Sequence, residues 1–265
     1  MSTCFSLDWL RLREAADHQS RPSALLPPLL DWLPREPLSI IDLGAGSGSN
    51  MRYLAPRLPG AQHWTLVDND SVLLRGTEAP LPHVAITTRE RDIGDGLSIL
   101  EATPHMITAS ALLDLVSRSW LEMLATLCLD ARCAALFSLT YDGRIRWNPA
   151  DSDDALVAEL VNAHQRRDKG FGPALGPGGA ETAASVFRDR GFHIRLSPSP
   201  WRLTADDADL QTELLNGWLE AALEQAPPHE DRLQAWARRR REAIGAGGPN
   251  LTVGHLDLLA LPPER

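Results

Sequence analysis

A short stretch in which glycines alternate with other residues constrains the fold of this chain more than any other feature. An apolar run, Leu38–Leu43, carries the acid Asp42 near its end, and helix-compatible residues begin at Asn50. Between them lie Gly44, Gly46 and Gly48. A strand that turns through glycines into a helix brings bare backbone and a helix N-terminus against a ligand. The stretch therefore predicts a strand, a ligand-binding turn and a helix, the opening unit of an α/β fold.

The spacing of these glycines distinguishes between ligands. A dinucleotide-binding turn has the pattern G-x-G-x-x-G, so its third glycine would stand at Ser49, and its strand needs no acid. The observed pattern is D-x-G-x-G-x-G, which resembles the first motif of the class I S-adenosylmethionine (SAM) methyltransferases. The resemblance implies that SAM is the cofactor and that Asp42 suits its ammonium group. It also implies that the amino-acid arm of SAM lies on the backbone of Gly44, Ala45, Gly46 and Gly48.

The second and third apolar runs continue the resemblance, because each is followed by an acid. After 64–67 come Asp68 and Asn69, where the family binds both ribose hydroxyls with an acid. A carboxylate suits that task because its two oxygens accept two hydroxyl donors at once. Beyond the third run come Asp92 and Ile93, which by resemblance accept from the adenine amino group and cover the ring. Singly, such acids are common turn residues, so it is their joint placement that favours cofactor contact.

A fourth apolar run, 106–110, leads into a segment similar to the family's motif beside the methyl group. Ser110 ends this run and is expected to contact the cofactor. Asp114 follows at the expected start of a helix, where the helix dipole alone favours an acid. The role of Asp114 is therefore open between a structural one and contact with cofactor or substrate.

The alternation of apolar runs with amphipathic segments predicts an α/β fold class, because buried parallel strands are apolar throughout. The expected architecture is a seven-stranded Rossmann-like methyltransferase sheet, mostly parallel with an antiparallel last strand, flanked by helices. The last three strands are expected at 134–139, 192–196 and 251–261. Helices are expected at 50–58, 112–129 and 181–190. In the last strand, His255 and Asp257 are expected to be polar groups at a strand end.

N-terminal and inserted helical cap segments are expected to extend this core. Residues 1–30 are predicted to form an N-terminal helical lid segment, and 31–265 the SAM-binding domain, with insertions at about 141–179 and 204–245. The N-terminal segment offers possible lid residues, although an ordinary surface helix is the simpler interpretation. These residues are Trp9, Arg13 and Arg21.

The two insertions contain recognisable local patterns. The first is predicted to hold a hairpin around 142–143, since Asp-Gly favours tight turns, and a helix over 151–165. A Gly-Pro-rich segment, 170–179, follows and is expected to be loosely packed and mobile. The second insertion is predicted to hold two helices, the first opened by a capping box at 204–207. A run of four arginines at 238–241 is interpreted as a solvated face.

The methyl transfer that the resemblance implies requires few catalytic groups from the protein. Methyl transfer from SAM is an in-line displacement, so the chain mainly aligns the nucleophile and excludes water. Candidate general bases are Tyr141, His164 and Asp114, and the sequence does not choose among them. Arg167 and Lys169 lie in a cationic segment. It is either a clamp for a substrate carboxylate or phosphate, or a charged helix end.

The composition favours a cytoplasmic enzyme that acts on a small molecule. A net charge of −9 over 265 residues argues against a nucleic-acid substrate held through its phosphates. No apolar run approaches a membrane-spanning length, and the charges from Asp8 onward argue against a signal peptide. Cys4, Cys128 and Cys133 lack metal-ligand spacing, so no metal site is expected, and the last two are predicted to be buried. The oligomeric state is left open.

The leading hypothesis is a SAM-dependent methyltransferase that acts on an N, O or S nucleophile of a small, anionic or zwitterionic metabolite. A non-catalytic SAM-binding protein is the first alternative, because an intact cofactor motif does not require an open acceptor site. A nicotinamide-dependent oxidoreductase is the second, and it is disfavoured by Ser49 at the position of the third glycine.

Overall fold

The computed structural model describes residues 6–35, 37–97 and 103–263. Within these residues, eight strands form one mixed sheet. The strands are β1 (Leu38–Leu43), β2 (Gln62–Asp68), β3 (Val84–Glu90), β4 (Met106–Ser110), β5 (Ala134–Asn148), β6 (His193–Pro198), β7 (Trp201–Leu203) and β8 (Asn250–Leu261). The first part of the predicted lid segment, residues 1–5 with Cys4, lies outside the described residues.

Helices connect and flank these strands. They are α1 (Leu7–Ser20), α2 (Leu26–Trp32), α3 (Ser49–Leu54), α4 (Ser71–Arg75), α5 (Arg118–Ala131), α6 (Asp154–His164), α7 (Gly179–Arg188), α8 (Ala208–Gln225) and α9 (Glu230–Gly245). The helix expected from 112 begins only at Arg118, because Ser117 is its N-cap and its Oγ accepts a hydrogen bond from Trp120 N at 3.3 Å. Asp114 therefore lies in the turn before α5 and not in its first turn.

The strand order is β3-β2-β1-β4-β5-β8-β6, with β7 paired to another part of β8. Neighbours from β3 to β5 are parallel, and β8 is antiparallel to both β5 and β6. This confirms the predicted fold class. The sheet has one strand more than the expected seven, because β6 and β7 pair with successive parts of β8 and Pro200, which lacks an N–H, stands between them.

Side chains of the central strands alternate between two apolar clusters, one on each face of the sheet. Ile40 packs with Leu29 of α2 and Leu54 of α3, whereas Ile41 packs on the other face with Leu121 of α5. Cys128 belongs to the α5 cluster and is fully buried, as is Cys133 at the start of the next strand. Both faces are thus covered, which directs a ligand to the ends of the strands.

The prediction of a hairpin around residues 142–143 is wrong. β5 continues through this dipeptide as a bulged strand and stays paired with β8 up to Asn148. In the bulge, Gly143 has a φ of +90°. Opposite it, a Cβ on Gly254 of β8 would stand 2.0 Å from Asp142 Oδ1. Gly254 of the partner strand thus leaves space for the bulge in β5. The turn propensity of residues 142–143 gives no information about this distant glycine.

The two insertions pack on the long end of β5 and form a third apolar cluster. Trp147 of β5, Val157 of α6, Trp218 of α8 and Trp236 of α9 are all buried in it. The predicted capping box at 204–207 is present at the start of the second insertion. These helices extend the core of the sheet, as the fold class predicted.

The arginine run at 238–241 is not simply a solvated face. The side chain of Arg240 is only 4% exposed, forms an ion pair with Asp154 and lies 4.8 Å from the centre of the Trp147 ring. Arg239 pairs with Asp151 at 2.7 Å and Asp153 at 2.9 Å. For Arg240 the prediction is wrong, because its side chain is buried against an acid of the first insertion, whereas Arg239 is exposed although it is paired.

Two further predictions are corrected by the packing. His255 and Asp257 lie inside β8 rather than at its end, and both are buried. The segment 170–179 is not loosely packed, because Leu175 N donates to Val116 O and Gly176 N to Asp114 O, each at 2.9 Å. This segment is therefore fixed against the turn that precedes α5.

Candidate active site

A cavity of about 460 Å³ opens at the edge of the sheet where β1 to β4 end. Open α/β sheets bind ligands at this carboxyl edge. The wall combines the strand ends with α1 and with residues 168–171 of the first insertion. It is formed by Leu10, Arg13, Gly44, Gly46, Asp68, Asn69, Asp70, Leu73, Arg91, Asp92, Ile93, Ser110, Ala111, Leu112, Leu115, Asp168, Lys169, Gly170 and Phe171.

The glycine turn forms the part of the wall between β1 and α3. Gly44, Gly46 and Gly48 have φ angles of +63°, +52° and +82°, a region that residues with side chains rarely adopt. A Cβ on Gly46 would lie 3.3 Å from Leu10 Cδ1 of α1, so the backbone there is closely covered. Gly44 and Gly46 line the cavity, whereas the predicted contacts Ala45 and Gly48 do not.

Asp68 ends β2 and presents its carboxylate at the wall. Its Oδ2 accepts a hydrogen bond of 2.7 Å from Gly46 N, and its Oδ1 accepts one of 2.9 Å from Asp70 N. Burial raises the pKa of Asp68, and these backbone hydrogen bonds oppose the shift. The backbone therefore fixes the orientation of this carboxylate, with Asn69 beside it in the wall.

Asp42 lies beneath the glycine turn and not in the cavity. It is fully buried, and its Oδ1 accepts a hydrogen bond of 2.9 Å from Asn50 Nδ2. Its Oδ2 has no hydrogen-bond partner among the described residues. Burial raises the pKa of Asp42 to about 7, although Asn50 and Arg21 oppose the shift. The structure thus does not place Asp42 for contact with a cofactor; it ties β1 to the first turn of α3.

Asp92 and Ile93, which the resemblance assigns to adenine, follow β3 and line the cavity. Asp92 Oδ1 accepts a hydrogen bond of 2.8 Å from Gly94 N, and the Ile93 carbonyl accepts one of 2.8 Å from Trp120 Nε1. Phe171 packs edge-on against Trp120, with ring centroids 5.7 Å apart. This contact brings the first insertion onto the same wall as the end of β3.

The turn after β4 closes another side of the cavity. Ser110, a predicted cofactor contact, lines it, and Ala111 follows with a φ of +52°, uncommon for a residue with a side chain. Ala111 N donates to Ser138 O at 2.9 Å, which holds this conformation. Asp114 lies behind the turn and is buried. Burial raises the pKa of Asp114 to about 6, and the charges of Arg13 and Lys169 are among the opposing effects.

α1 covers the glycine turn and is fastened to it by polar contacts. Glu14 accepts hydrogen bonds of 2.7 and 2.6 Å from Arg52 of α3. His18 Nε2 lies 3.1 Å from the Ser49 backbone oxygen. α1 thus packs over the glycine turn through partly buried polar contacts.

Solved structures show which fold surrounds this cavity. The chain matches a cyclopropane-fatty-acyl-phospholipid synthase-like protein from Lactobacillus casei at 14% identity and a TM-score of 0.57, covering 96% of this chain and 92% of that one. It matches the cyclopropane synthase MmaA2 from Mycobacterium tuberculosis at 14% identity and a TM-score of 0.52, covering 97% and 94%. It also matches the mycolic acid cyclopropane synthase CmaA1, solved with SAH and CTAB, at 12% identity and a TM-score of 0.50, covering 96% and 94%. This is the class I SAM methyltransferase fold.

No protein-family model matches the chain, and no curated protein matches its sequence. Among the described residues of this methyltransferase fold, no three or more His, Cys, Asp or Glu side chains are grouped so that they could hold a metal ion. No helix in the same residues is both long and apolar enough to cross a membrane.

None of the three predicted general bases belongs to the cavity wall, but Asp114 stands in the turn between two residues that do, Leu112 and Leu115. Tyr141 is buried within β5, its hydroxyl donates to Asn162 Oδ1 at 2.8 Å, and burial raises its pKa. His164 ends α6 and contacts Glu224 Oε2 at 3.1 Å, and burial lowers its pKa. Neither Tyr141 nor His164 belongs to the cavity wall.

Of the two predicted substrate contacts, Lys169 lines the cavity and Arg167 does not. Arg167 is exposed, and its Nη1 pairs with Glu224 Oε2 at 2.9 Å. Arg13 of α1 lines the cavity in its place. The sequence analysis named Arg13 as a possible lid residue but not as a substrate contact, although its spacing of three from Leu10 places both on one helix face.

Proposed function

We propose that the protein is a SAM-dependent methyltransferase that acts on an N, O or S nucleophile of a small, anionic or zwitterionic metabolite. One observation carries the proposal: Gly46, Asp68, Asp92 and Ile93, from the ends of three successive strands, meet in one cavity wall. These are residues that the sequence resemblance assigns to SAM. The fold agrees, and CmaA1, which shares it, was solved with SAH.

The wall fits SAM by shape and by chemistry. Gly46 lines the wall and carries no side chain, so an extended amino-acid arm can lie against its backbone. Asp68 offers two oxygens of fixed orientation for two neighbouring ribose hydroxyls, with Asn69 adjacent. Asp92 offers an acceptor and Ile93 an apolar surface, which together suit adenine.

When bound, SAM supplies a methyl group already activated by its sulfonium charge. The chain then aligns the acceptor, and apolar residues such as Leu112 and Leu115 exclude water from the reacting atoms. Of the three candidate bases we propose Asp114 as the proton acceptor, because its carboxyl group interacts with Arg13 and Lys169 in the wall. A pKa of about 6 leaves it ionised at pH 7 yet able to take a proton. Contacts of catalytic groups often tighten only when ligands bind.

We also propose that residues 1–30 act as a lid on a SAM-binding domain of residues 31–265. α1 lies over the glycine turn, and residues 168–171 of the insertion at about 141–179 lie over the end of β3. The insertion at about 204–245 supports both, since α8 packs on α6 and contacts α1.

Calorimetry of the whole chain with SAM, SAH and NAD tests the cofactor. We expect SAM and SAH to bind and NAD not to bind. A Gly46→Val variant is expected to lose SAM binding, because a branched side chain there collides with the close cover and strains the turn. Binding of NAD alone would instead support a nicotinamide-dependent oxidoreductase.

Release of SAH on a panel of small metabolites tests the reaction. We expect release with an acceptor that carries a carboxylate or phosphate as well as an N, O or S nucleophile. Tight SAM binding without release on any member of a broad panel would favour the non-catalytic SAM-binding alternative.

A further inference from the structure

Two positively charged side chains from different segments line the same cavity. Arg13 of α1 and Lys169 of the first insertion both belong to its wall. Both also interact electrostatically with the carboxyl group of Asp114, behind the turn after β4. Because the cavity measures only about 460 Å³, one small ligand in it can meet both charges.

The charged residues of the wall come from several parts of the fold. Asp68, Asp70 and Asp92 end or directly follow β2 and β3. Arg13 comes from α1, and Lys169 comes from the first insertion, next to Asp168, which also lines the wall. The two acids with which these cations interact, Asp17 and Asp114, do not line it.

Arg13 is held in place rather than free in solvent. Asp17 accepts hydrogen bonds from its Nε at 2.9 Å and its Nη2 at 3.1 Å, and the guanidinium lies 5.1 Å from the centre of the Trp201 ring. The side chain is 12% exposed. This pairing does not use Nη1, so a planar, preorganised donor remains for an anionic oxygen.

Lys169 has no carboxylate in direct ion-pair contact among the described residues. Its Nζ lies 3.5 Å from His164 Nδ1, and burial lowers its pKa. Asp168 fixes the turn that carries it, since its Oδ1 accepts hydrogen bonds from Gly170 N at 2.7 Å and Gly172 N at 3.1 Å. A half-buried ammonium without a direct counter-ion gains most from an anionic ligand.

We propose that Arg13 and Lys169 together bind an anionic group, a carboxylate or a phosphate, of the methyl acceptor. This rests on the proposed function, because it places the acceptor beside the turn after β4. It makes α1 and the first insertion the two halves of one substrate site. It also assigns substrate recognition to Arg13, in place of the Arg167 suggested by the sequence.

The test uses the SAH complex of the whole chain and three probes that share a phenyl ring: benzoate, phenyl phosphate and the neutral benzamide. Calorimetry measures each affinity. We expect benzoate or phenyl phosphate to bind about tenfold more tightly than benzamide, the effect of one charged hydrogen bond. Whichever anion binds more tightly identifies carboxylate or phosphate as the group.

Three variants identify the residues responsible. Lys169→Gln and Arg13→Gln are expected to lose most of the preference for the anion, and Arg13→Lys to retain part of it. Arg167→Gln is the matched control on the same segment and is expected to keep the preference. SAH affinity should change little in all of them. If Arg13→Gln fails to fold, Lys169→Gln decides.

The outcomes separate this inference from the proposed function. Failure of the wild-type chain to bind SAH would overturn both. SAH binding with no preference for the anionic probes would overturn the inference alone. So would a preference that survives in Lys169→Gln, or one that is lost equally in Arg167→Gln.

Discussion

At the scale of single residues, burial and hydrogen bonding separate two aspartates that the sequence motifs treat alike. Asp68 has each oxygen held by a backbone N–H, of Gly46 and Asp70, at the wall of the cavity. Asp42 is fully buried, and one of its oxygens accepts a hydrogen bond from Asn50. Asp68 is presented to a ligand, whereas Asp42 supports the turn. We therefore expect replacement of Asp68 to change ligand binding and replacement of Asp42 to change stability.

Replacing Asp68 by alanine is expected to weaken SAM binding by about 1.5–3 kcal/mol, the loss of a charged hydrogen-bond acceptor. Calorimetry measures this as roughly a 10- to 150-fold change in affinity. Glu90→Ala is the matched control, because Glu90 pairs with Asp68 in the sheet but is exposed and does not line the cavity. Unchanged affinity in a folded Asp68→Ala protein would remove Asp68 from the site.

Asp42→Asn is expected to change how stability depends on pH. The pKa of Asp42 rises from 3.8 to about 7 on folding, so between these values the folded state binds the proton more tightly than the unfolded state. The free energy of unfolding of the wild type therefore falls as pH rises from about 4 to about 7, at up to about 1.4 kcal/mol per pH unit. The variant lacks the contribution of Asp42 to this fall.

Urea titrations of both proteins at several pH values measure the difference. The two curves should approach a constant offset below pH 4, diverge between pH 4 and 7 in favour of the variant, and run parallel above pH 7. Parallel curves across the whole range would show that Asp42 keeps an ordinary pKa.

At the scale of elements, α1 is both the cover of the cofactor region and a source of site residues. Leu10 and Arg13 line the cavity, while Glu14, one turn after Leu10, binds Arg52 of α3. Arg52 also donates to the Ser47 carbonyl oxygen in the glycine turn. One arginine thus links the cover to the turn beneath it, so the position of α1 and the shape of the turn depend on each other.

Glu14→Gln is expected to loosen α1 without unfolding the protein. The pair is partly exposed, at 32% for Arg52 and 23% for Glu14, so its loss should change the free energy of unfolding by less than about 1 kcal/mol. Hydrogen exchange measured on peptides from residues 7–20 should rise, because α1 opens locally more often. Asp8→Asn is the control, since its pair with Arg11 is exposed. An equal rise in both variants would contradict the role of Glu14.

At the scale of the whole molecule, one buried ion pair joins the first part of the chain to its last strand. Arg21 Nε lies 3.1 Å from Asp257 Oδ2 of β8, and its Nη1 donates to Asn50 Oδ1 at 3.0 Å. Asp257 also accepts from Leu139 N at 2.8 Å, where β5 bulges with a φ of +55°. The N-terminal segment, α3, β5 and β8 therefore meet at Arg21, directly beneath the glycine turn.

Arg21→Ala is expected to lower the free energy of unfolding by about 3–5 kcal/mol, because it leaves the buried carboxylate of Asp257 without its partner. Chemical denaturation measures this. The double variant Arg21→Ala, Asp257→Asn should recover part of the loss, since no buried charge remains. Arg11→Ala, an exposed control, should stay within about 0.5 kcal/mol of wild type. A loss below 1 kcal/mol in Arg21→Ala would show that the pair is not structurally important.

The opening unit and the positions of the buried strands could be predicted from the sequence because their determinants are local. Glycines that must adopt positive φ mark the turn after β1, and apolar runs mark buried strands. Acids that directly follow parallel strands share one edge of the sheet, so Asp68 and Asp92 could be brought together without coordinates. The bounds of α5 and the packing of 170–179 were missed, because they depend on contacts of the turn around Asp114.

Only the tertiary structure decided the role of the charged side chains. A cation on an amphipathic helix gives the same local pattern whether it faces water or a buried acid, so Arg240, paired with Asp154, was misjudged. Arg13 and Lys169 are far apart along the chain, and only the packing of α1 and the first insertion over the strand ends brings both into one wall. The sequence determines backbone conformation through short-range steric effects and the spacing of apolar residues. The environment of a charged side chain depends instead on its contacts, which any part of the chain can supply.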